Sequence, residues 1–314
     1  MREDEVLRRE AGHLRPLLSA AQSLAAKSLE MQISKLNPKR LEEVEFRVSS
    51  QFGDDGIIFF LLSKIQPKPK TFIEFGVQDY SEANTRYLLE SKNWSGLIID
   101  GDLRAMAKLR RQEIYWRQDL TAIGAFVTRE NINQLFKQAG FEGELGLLSV
   151  DIDGVDYWVW EAINVVNPSV VVAEYNSLFG GQNAISVPYH PEFRRQEAHW
   201  SCLYWGASLA ALDHLAELKG YSLVGCNSAG NNAYFVRNDC LGRVGLPRLS
   251  PEEAFVESKF RESRDQSGQF TFLRGDQRFG AISELEVVDV KTGITKPLSS
   301  LLPPSGKERG VIKN

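Results

Sequence analysis

Short apolar segments and amphipathic segments alternate along the middle of the chain. Segments such as EANTRYLLESK (82–92) and NINQLFKQAG (131–140) have the spacing of helices with one buried face. Five apolar runs between such segments predict strands: TFIEFG (71–76), SGLIIDGD (95–102), IYWRQD (114–119), LGLLSVDIDG (145–154) and SVVVAEYN (169–176). Short, wholly apolar strands separated by helices indicate a parallel sheet covered by helices on both faces.

The end of this region departs from the alternation. YSLVGCNS (221–228) and AYFVRND (233–239) are strand-like runs on either side of a Gly/Asn-rich turn, which predicts an antiparallel hairpin. Dinucleotide-binding folds usually lack such a late antiparallel strand. The expected architecture is therefore α/β and Rossmann-like, a mostly parallel seven-stranded sheet that finishes with a C-terminal antiparallel hairpin.

The flanking segments have other patterns. Residues 1–49 are predicted to form a helical extension that serves for packing or for assembly into a homo-oligomer. Residues 50–240 carry the α/β pattern and form the main domain. Residues 241–314 are expected to contain short strands around turns and a loose tail.

Composition narrows the class of protein. Hydrophobic residues at 43% and charged residues at 25% are ordinary globular values, which excludes wholesale disorder. The net charge of −4 argues against nucleic acid as the main partner, because phosphate binding normally needs a basic face. Three cysteines without a CxxC pair fit a reducing compartment. The N-terminus is too charged for a secretory signal, and no apolar run is long enough to span a membrane, so we expect a cytoplasmic protein. The expected partner is a small-molecule substrate.

Acidic residues follow the predicted strands. In an open parallel sheet, ligands gather at the carboxyl ends of the strands. A carboxylate beside an apolar sheet must be solvated, paired or bound, and some of these groups are expected to cap the following helices. As a series they predict a ligand site along this edge. The residues are Glu74, Asp100 with Asp102, Asp119, Asp151 with Asp153, and Glu174.

The first half of this edge suits an adenosine-type cofactor. An acidic residue that ends the second strand, Asp100, can accept both hydroxyls of a ribose, and Gln118 or Asp119 can contact an adenine amino group. The loop after the first strand keeps a glycine but lacks the glycines of a pyrophosphate-binding loop, which fits a sulfonium cofactor without pyrophosphate. The predicted cofactor-binding residues are Glu74, Gly76, Asp79, Tyr80, Ser81, Asp100, Gln118 and Asp119.

The second half of the edge has two interpretations. Asp151, Asp153 and Glu174 end neighbouring predicted strands, and three converging carboxylates are compatible with a hard divalent ion such as Mg²⁺. The simpler interpretation is that Asp151 and Asp153 bind the hydroxyl of an acceptor or take its proton.

These motifs together resemble the FkbM-type SAM-dependent methyltransferases over roughly residues 50–240. The strongest matches are Asp151-Ile152-Asp153-Gly154 after the fourth strand and the closing GYSLVGCNSAGNNAYFVR hairpin (220–237). The resemblance implies a class I methyltransferase fold with SAM as cofactor and methylation of a hydroxyl, often on a saccharide or natural product. It also implies that Glu74, Gly76, Asp100 and Asp119 hold the cofactor. Gln78-Asp79-Tyr80 and Asp153 depart from the family pattern.

Methyl transfer to a hydroxyl needs alignment of the acceptor and a base for its proton. His190 and His199 flank the polar stretch PEFRRQEA (191–198) in the region expected to bind the acceptor, and each is a candidate base. Two other functions use the same edge. One is a metal-dependent hydrolase or phosphotransferase built on Asp151, Asp153 and Glu174, and the other is a binding protein that has lost turnover.

Overall fold

The computed structural model describes residue 18 and residues 20–301. Its strands are β1 (Thr71–Phe75), β2 (Ser95–Asp100), β3 (Leu120–Gly124), β4 (Gly143–Val150), β5 (Val166–Glu174), β6 (Ile185–Ser186), β7 (Tyr221–Cys226), β8 (Asn232–Arg237), β9 (Glu286–Asp289) and β10 (Thr295–Pro297). Seven of them form one sheet in the order β3-β2-β1-β4-β5-β8-β7. Pairing is parallel from β3 to β5, and β8 is antiparallel to both of its neighbours. The predicted fold class is confirmed, including the hairpin.

Helices cover both faces of this sheet. They are α1 (residues 20–33), α2 (Asp54–Ile65), α3 (Arg86–Lys92), α4 (Leu103–Leu109), α5 (Glu113–Arg117), α6 (Ile132–Gln138), α7 (Asp156–Ala162), α8 (Arg195–Ala198), α9 (Leu209–Lys219), α10 (Asn238–Val244), α11 (Pro251–Ala254) and α12 (Asp276–Gly280). Helices α6, α7 and α9 contribute to one hydrophobic core, and α2, α3, α4 and α10 contribute to the other.

Alternation along β1 shows how the strands divide between these two cores. Ile73 and Phe75 belong to the core that contains α9, while Phe72 belongs to the core that contains α2. Successive side chains of a strand point to opposite faces, so Glu74 lies on the same face as Phe72. Polar residues near the strand ends therefore lie on one face of the sheet or the other according to whether their position in the strand is odd or even.

The third strand was predicted at the wrong place. IYWRQD falls mainly in helix α5, where Glu113 and Arg117 form an i,i+4 ion pair at 3.0 Å, and β3 starts only at Leu120. A short apolar run followed by polar residues cannot be distinguished from one helical turn by periodicity alone. Gln118 and Asp119 consequently precede the strand, at the edge of the sheet opposite to the one predicted.

The C-terminal extension packs onto the main domain. Strand β9 pairs with β10 and with β6, so residues 185–186 and 286–297 share a three-stranded sheet. Phe279, Ile282 and Val287 join the core that contains α9. The boundaries proposed at residues 49 and 240 stay predictions, as does oligomerisation through the N-terminal extension, because residues 1–17 and 19 lie outside the described part. The predicted tail, PPSGKERGVIKN (303–314), also lies outside it.

The helices give no indication of a membrane span. Among the described residues, none combines the length and the apolar character that crossing a bilayer requires.

Candidate functional site at the carboxyl ends of the strands

A cavity of about 230 Å³ lies at the carboxyl ends of β1, β2, β3 and β4. This is the edge at which open parallel sheets bind ligands. Segments after all four strands contribute to its wall, and the segment before α8 closes one side. The lining residues are Gly76, Gln78, Ile99, Asp100, Gly101, Asp102, Phe126, Val127, Asp151, Ile152, Asp153, Val155, Phe193 and Arg194.

Asp100 is held rigidly in this cavity. It ends β2 and is nearly buried. The Gln78 N–H donates to its Oδ2 at 2.6 Å, and the Asp102 N–H donates to its Oδ1 at 2.7 Å. Each carboxylate oxygen has a second lone pair. The group is therefore fixed in orientation and still able to accept two hydroxyl donors from a ligand.

The loop after β1 adopts left-handed conformations without the usual glycines. Gly76, Gln78 and Tyr80 have φ values of +81°, +50° and +60°. Such values are uncommon outside glycine and persist where the surroundings enforce them. Here the Gln78 N–H is bound by Asp100, and the buried Tyr80 hydroxyl is 2.9 Å from Thr85 Oγ1. The loop thus has the backbone path of a glycine-rich loop, fixed by side-chain contacts.

Glu74, on strand β1, holds the end of this loop through hydrogen bonds to Asn84 and Thr85. Its carboxylate accepts the N–H of Asn84 at 2.9 Å and the N–H and hydroxyl of Thr85 at 3.0 and 2.5 Å. Burial raises its pKa. Asp79 accepts the Ser81 N–H at 3.0 Å on the exposed side of the loop. None of Glu74, Asp79, Tyr80 and Ser81 belongs to the described lining of the cavity, so their predicted cofactor contacts are not part of the function proposed below.

Gln118 and Asp119 lie away from the cavity. Asp119 lines a different cavity at the amino ends of the strands, together with Thr71, Ser95 and Thr121. The adenine contact was assigned to these residues because β3 was expected to end at Asp119. With β3 at Leu120–Gly124, the segment that reaches the ligand edge is the one after Gly124.

Asp151 and Glu174 form a carboxyl pair beside the cavity. They come directly after the paired residues Val150 and Ala173 of β4 and β5, so the two carboxyl groups are neighbours. Burial and the neighbouring carboxylates raise the pKa of both groups well above the ordinary range. Such a pair keeps one proton between its two members in conditions where isolated carboxyls are ionised.

The loop after β4 is closed by Asp156. Its carboxylate accepts the N–H groups of Ile152 at 2.7 Å and Gly154 at 3.0 Å, and burial raises its pKa to about 6. Asp153, in the same loop, has φ +54° and lies 2.6 Å from the Arg195 guanidinium. Asp156 therefore fixes the backbone of the loop that carries Asp151, and Arg195 holds the same loop through Asp153.

Arg195 joins three segments around the cavity. Besides Asp153, it donates to the Cys202 carbonyl at 2.7 Å, lies 3.8 Å from the Glu262 carboxylate and stacks 5.0 Å over the Trp205 ring. It is only 17% exposed. The β4 loop, the segment after β6 and the C-terminal extension are thus held together by one side chain.

The predicted Mg²⁺ set does not form. Within residues 18 and 20–301, no group of three or more His, Cys, Asp or Glu side chains is arranged to hold a metal ion. Asp153 forms an ion pair with Arg195, and burial and the neighbouring carboxylates raise the pKa values of Asp151 and Glu174, which disfavours the ionised form that a metal ion would need. The three side chains do not fit a metal site, and we derive no step through one.

The two histidines lie outside the described lining of the cavity. His190 is exposed, and its Nδ1 accepts the Glu192 N–H at 3.2 Å. His199 Nδ1 is 2.7 Å from the Ser201 hydroxyl, its ring packs against Trp200, and burial lowers its pKa. Of the four predicted catalytic residues, Asp151 and Asp153 therefore line the cavity, whereas His190 and His199 do not.

Phe126, Phe193 and Arg194 were missed from the sequence. Phe193 packs against Gly154, and the Arg194 guanidinium lies 5.0 Å over the Phe126 ring at the mouth of the cavity. Phe126 follows β3 and was overlooked because that strand was misplaced. Phe193 and Arg194 belong to the polar stretch that was assigned to the acceptor loop, but nothing distinguished them within it.

Comparisons with known proteins give only distant similarities. No protein-family model matches the chain, and no curated protein matches it, so the FkbM resemblance stays a prediction. Among solved structures, the chain is similar to the N-terminal domain of EvdMO1 with SAH bound, at 11% identity over 67% of this chain and 94% of that one, with a TM-score of 0.38.

Two further similar structures carry the name O-methyltransferase, one of them as a putative enzyme. One is the enzyme from Bacillus cereus in complex with SAH, at 10% identity over 66% of this chain and 89% of that one, with a TM-score of 0.34. The other is a putative O-methyltransferase from Klebsiella pneumoniae, at 13% identity over 69% and 96%, with a TM-score of 0.36. At these identities and TM-scores the neighbours establish nothing about chemistry, so function has to be inferred from the site.

Proposed function

We propose that this protein is a SAM-dependent O-methyltransferase that acts on a hydroxyl group of a polyhydroxylated small molecule such as a saccharide. The observation that carries the proposal is the shared cavity of Asp100 and Asp151. A fixed carboxylate at the end of β2 lines the same cavity as Asp151, which is one member of the carboxyl pair at the ends of β4 and β5.

The Asp100 side of the cavity suits the nucleoside. Asp100 is oriented by two backbone N–H groups and retains lone pairs for the two ribose hydroxyls. Phe126 supplies an aromatic face at the mouth, suited to an adenine ring. Gly76 brings the backbone of the β1 loop to the wall between Asp100 and Asp151.

The Asp151 side suits the acceptor. SAM supplies an already activated methyl group, so the chain has to align an acceptor oxygen and remove its proton. Asp151 lines the cavity beside the wall that Gly76 forms, and as the ionised member of its pair with Glu174 it can take the proton of an acceptor hydroxyl. Neither histidine lines this space, which favours the carboxyl pair as the base.

The proposal extends to the cellular context. Cys202, Cys226 and Cys240 are free and buried, which fits the reducing conditions of the cytoplasm. The metal-dependent hydrolase is not proposed, because no group of three or more His, Cys, Asp or Glu side chains in the described part of the chain is arranged to hold a metal ion.

Calorimetric titration with SAM and SAH tests the cofactor assignment. We expect Asp100→Asn to weaken SAH binding about 100-fold, since the ribose hydroxyls lose two charge-assisted hydrogen bonds. Asp79→Asn is the matched control, because Asp79 is on the neighbouring loop but outside the lining, and its affinity should equal that of the wild type. Absence of SAH binding by the wild type at millimolar concentration would end the proposal.

Turnover tests the acceptor side. SAH formation from SAM is measured with a panel of polyols and aminosugars, and Asp151→Asn should lower the rate about 10²–10⁴-fold, the usual contribution of a general base. His190→Ala and His199→Ala should retain the rate. SAH binding without methyl transfer to any member of the panel would favour a binding protein of this fold.

A further inference from the structure

A second cavity, the amino-end cavity, has a volume of about 350 Å³ and lies at the amino ends of the strands. Small-molecule sites usually occupy clefts of about 300–1,000 Å³, so its size suits a ligand with one sugar-like ring. Thr71, the first residue of β1, lines it, whereas Gly76 directly after β1 lines the cavity described above. Along the extended chain these two residues are about 17 Å apart. The amino-end cavity is therefore separate from the cavity that contains Asp100 and Asp151.

Hydroxyl side chains form the floor of the amino-end cavity. Thr71 and Ser95 are paired across β1 and β2, and Thr121 of β3 lies two positions further along the sheet. Paired residues of a parallel sheet share a face, so the three hydroxyls lie on one face of three adjacent strands that are about 4.8 Å apart. All three side chains are partly buried, and among the described residues their hydroxyls have no hydrogen-bond partner. They remain able to donate to and accept from a ligand.

The loop between α6 and β4 forms a wall of the amino-end cavity. The Phe141 N–H donates to the Phe136 carbonyl at 2.9 Å, and the Gly143 N–H donates to the Val165 carbonyl at 2.8 Å. The Phe141 side chain lines the cavity and packs against the core that contains α9. The wall is therefore fixed without a ligand, which lowers the cost of binding one. Phe141 also gives it an apolar surface against which a ring can pack.

Two carboxylates of the amino-end cavity are not neutralised. The Gly96 N–H donates to the Asp119 carbonyl at 3.0 Å, which places Asp119 beside the hydroxyl floor, and Glu142 belongs to the wall. Within the described part of the chain, neither side chain has a hydrogen-bond or ion-pair partner. The third carboxylate, Glu144, is paired with Arg237 at 2.8 Å. None of the described lining residues is Lys, Arg or His, so the cavity favours a cation over an anion.

We propose that the amino-end cavity is a second binding site, which takes a hydroxylated organic cation such as an aminosugar. The hydroxyls of Thr71, Ser95 and Thr121 exchange hydrogen bonds with ligand hydroxyls, because each is both a donor and an acceptor. Asp119 and Glu142 accept from the ammonium group, which has three N–H donors and no acceptor. The site lies at the opposite edge of the sheet from the proposed methyl transfer and does not depend on it.

D-Glucosamine is the probe, with two comparison ligands. D-Glucose keeps the ring and its hydroxyls without the charge, and cyclohexylamine keeps a ring and the ammonium without the hydroxyls. In calorimetric titrations of the full chain, we expect glucosamine to bind about tenfold or more tightly than either, because each lacks one kind of hydrogen bond. Equal affinity for glucosamine and either comparison ligand would overturn the proposal, as would the absence of glucosamine binding at millimolar concentration.

Variants locate the site. Asp119→Asn should weaken glucosamine binding about tenfold or more, the effect of losing a hydrogen bond between charged groups. Thr121→Val keeps the shape of the side chain without its hydroxyl and should weaken binding about fivefold. Asp79→Asn is the matched control, because Asp79 is an exposed aspartate at the other edge of the sheet, and it should not change the affinity. Asp119 is itself exposed, so its variant should fold, and unchanged binding there would overturn the site.

The main cavity is the other place at which an aminosugar could bind, as a methyl acceptor. If glucosamine occupies the amino-end cavity, Asp151→Asn leaves its affinity unchanged, and SAH neither displaces it nor is required for it. If Asp151→Asn weakens glucosamine binding and Asp119→Asn does not, the second site is overturned. Titrations with glucosamine in the absence of SAH test the second site even if SAH fails to bind, so the two proposals fail separately.

Discussion

The α-carbon of Gly76 faces the Asp151 carbonyl so closely that a β-carbon on residue 76 would lie 1.5 Å from that oxygen. The contact joins the ends of the neighbouring strands β1 and β4, and both residues line the cavity. The glycine after β1 is therefore required by the protein's own backbone, in addition to any approach of a ligand.

Gly76→Ala should destabilise the fold severely. Gly140 offers a matched control, because its φ of +80° equals that of Gly76 within a degree, yet nothing lies within 4 Å of an added β-carbon. Gly140→Ala should cost about 1–2 kcal/mol for the left-handed backbone alone. Gly76→Ala should cost about 1–3 kcal/mol more, from the clash with Asp151. Urea unfolding measures both, and equal losses would show that β1 and β4 can separate freely.

The carboxyl pair predicts a pH dependence of stability. The folded-state pKa values of Asp151 and Glu174 are raised above their ordinary values by burial and mutual repulsion. For carboxyls shifted in this direction, stability is present below the unfolded pKa of about 4 and is lost as the pH rises through the folded values.

Glu174→Gln removes one of the two ionising groups. The free energy of unfolding of this variant should therefore increase relative to that of the wild type as the pH rises from about 4. Urea unfolding at a series of pH values gives the difference directly. Glu144→Gln is the control, since Glu144 is paired with Arg237 and its pKa is lowered, which gives the opposite slope. A flat difference for Glu174→Gln would mean that the pair is solvated.

The sequence specified the fold well because periodicity reports burial. β1, β2, β4, β5 and the β7–β8 hairpin lie within the runs predicted for them or extend those runs. It specified the site less well, because a carboxylate at a strand end looks the same whether it binds a ligand or the backbone. Glu74 is the last residue but one of β1 and Asp100 is the last residue of β2, yet Glu74 accepts hydrogen bonds from Asn84 and Thr85, and only Asp100 of the two lines the cavity.

Asp119 was assigned an adenine contact because the third strand was misplaced, and a variant of this residue tests that assignment. Its position at the amino ends of the strands predicts that Asp119→Asn leaves SAH affinity unchanged, whereas an adenine contact there would predict a loss of about tenfold. Phe126→Ala is the counterpart, because Phe126 follows the true β3 and lines the cavity. Titration of both variants with SAH decides, and a weaker Asp119→Asn with an unaffected Phe126→Ala would contradict the site described here.

Arg195→Ala should loosen the C-terminal extension from the main domain. The side chain is mostly buried and holds Asp153, the Cys202 carbonyl and Glu262, so its removal should cost about 1–3 kcal/mol. Opening should be local, because these contacts lie between segments and not within the sheet. Limited proteolysis followed by mass spectrometry should show faster cleavage within residues 255–275.

Arg264→Ala is the matched control for this experiment. Arg264 lies in the same extension and stacks 4.2 Å over Phe270, but its ion pair, with Glu262, stays within the extension. We expect its cleavage rate to stay close to that of the wild type. The cleavage rate of Arg195→Lys should fall between those of Arg195→Ala and Arg264→Ala. An ammonium retains the charge, but it cannot hold three partners in the plane of a guanidinium. Cleavage at the wild-type rate in Arg195→Ala would show that the remaining contacts, which include the β6–β9 pairing and the apolar contacts of Phe279 and Ile282, hold the extension in place without Arg195.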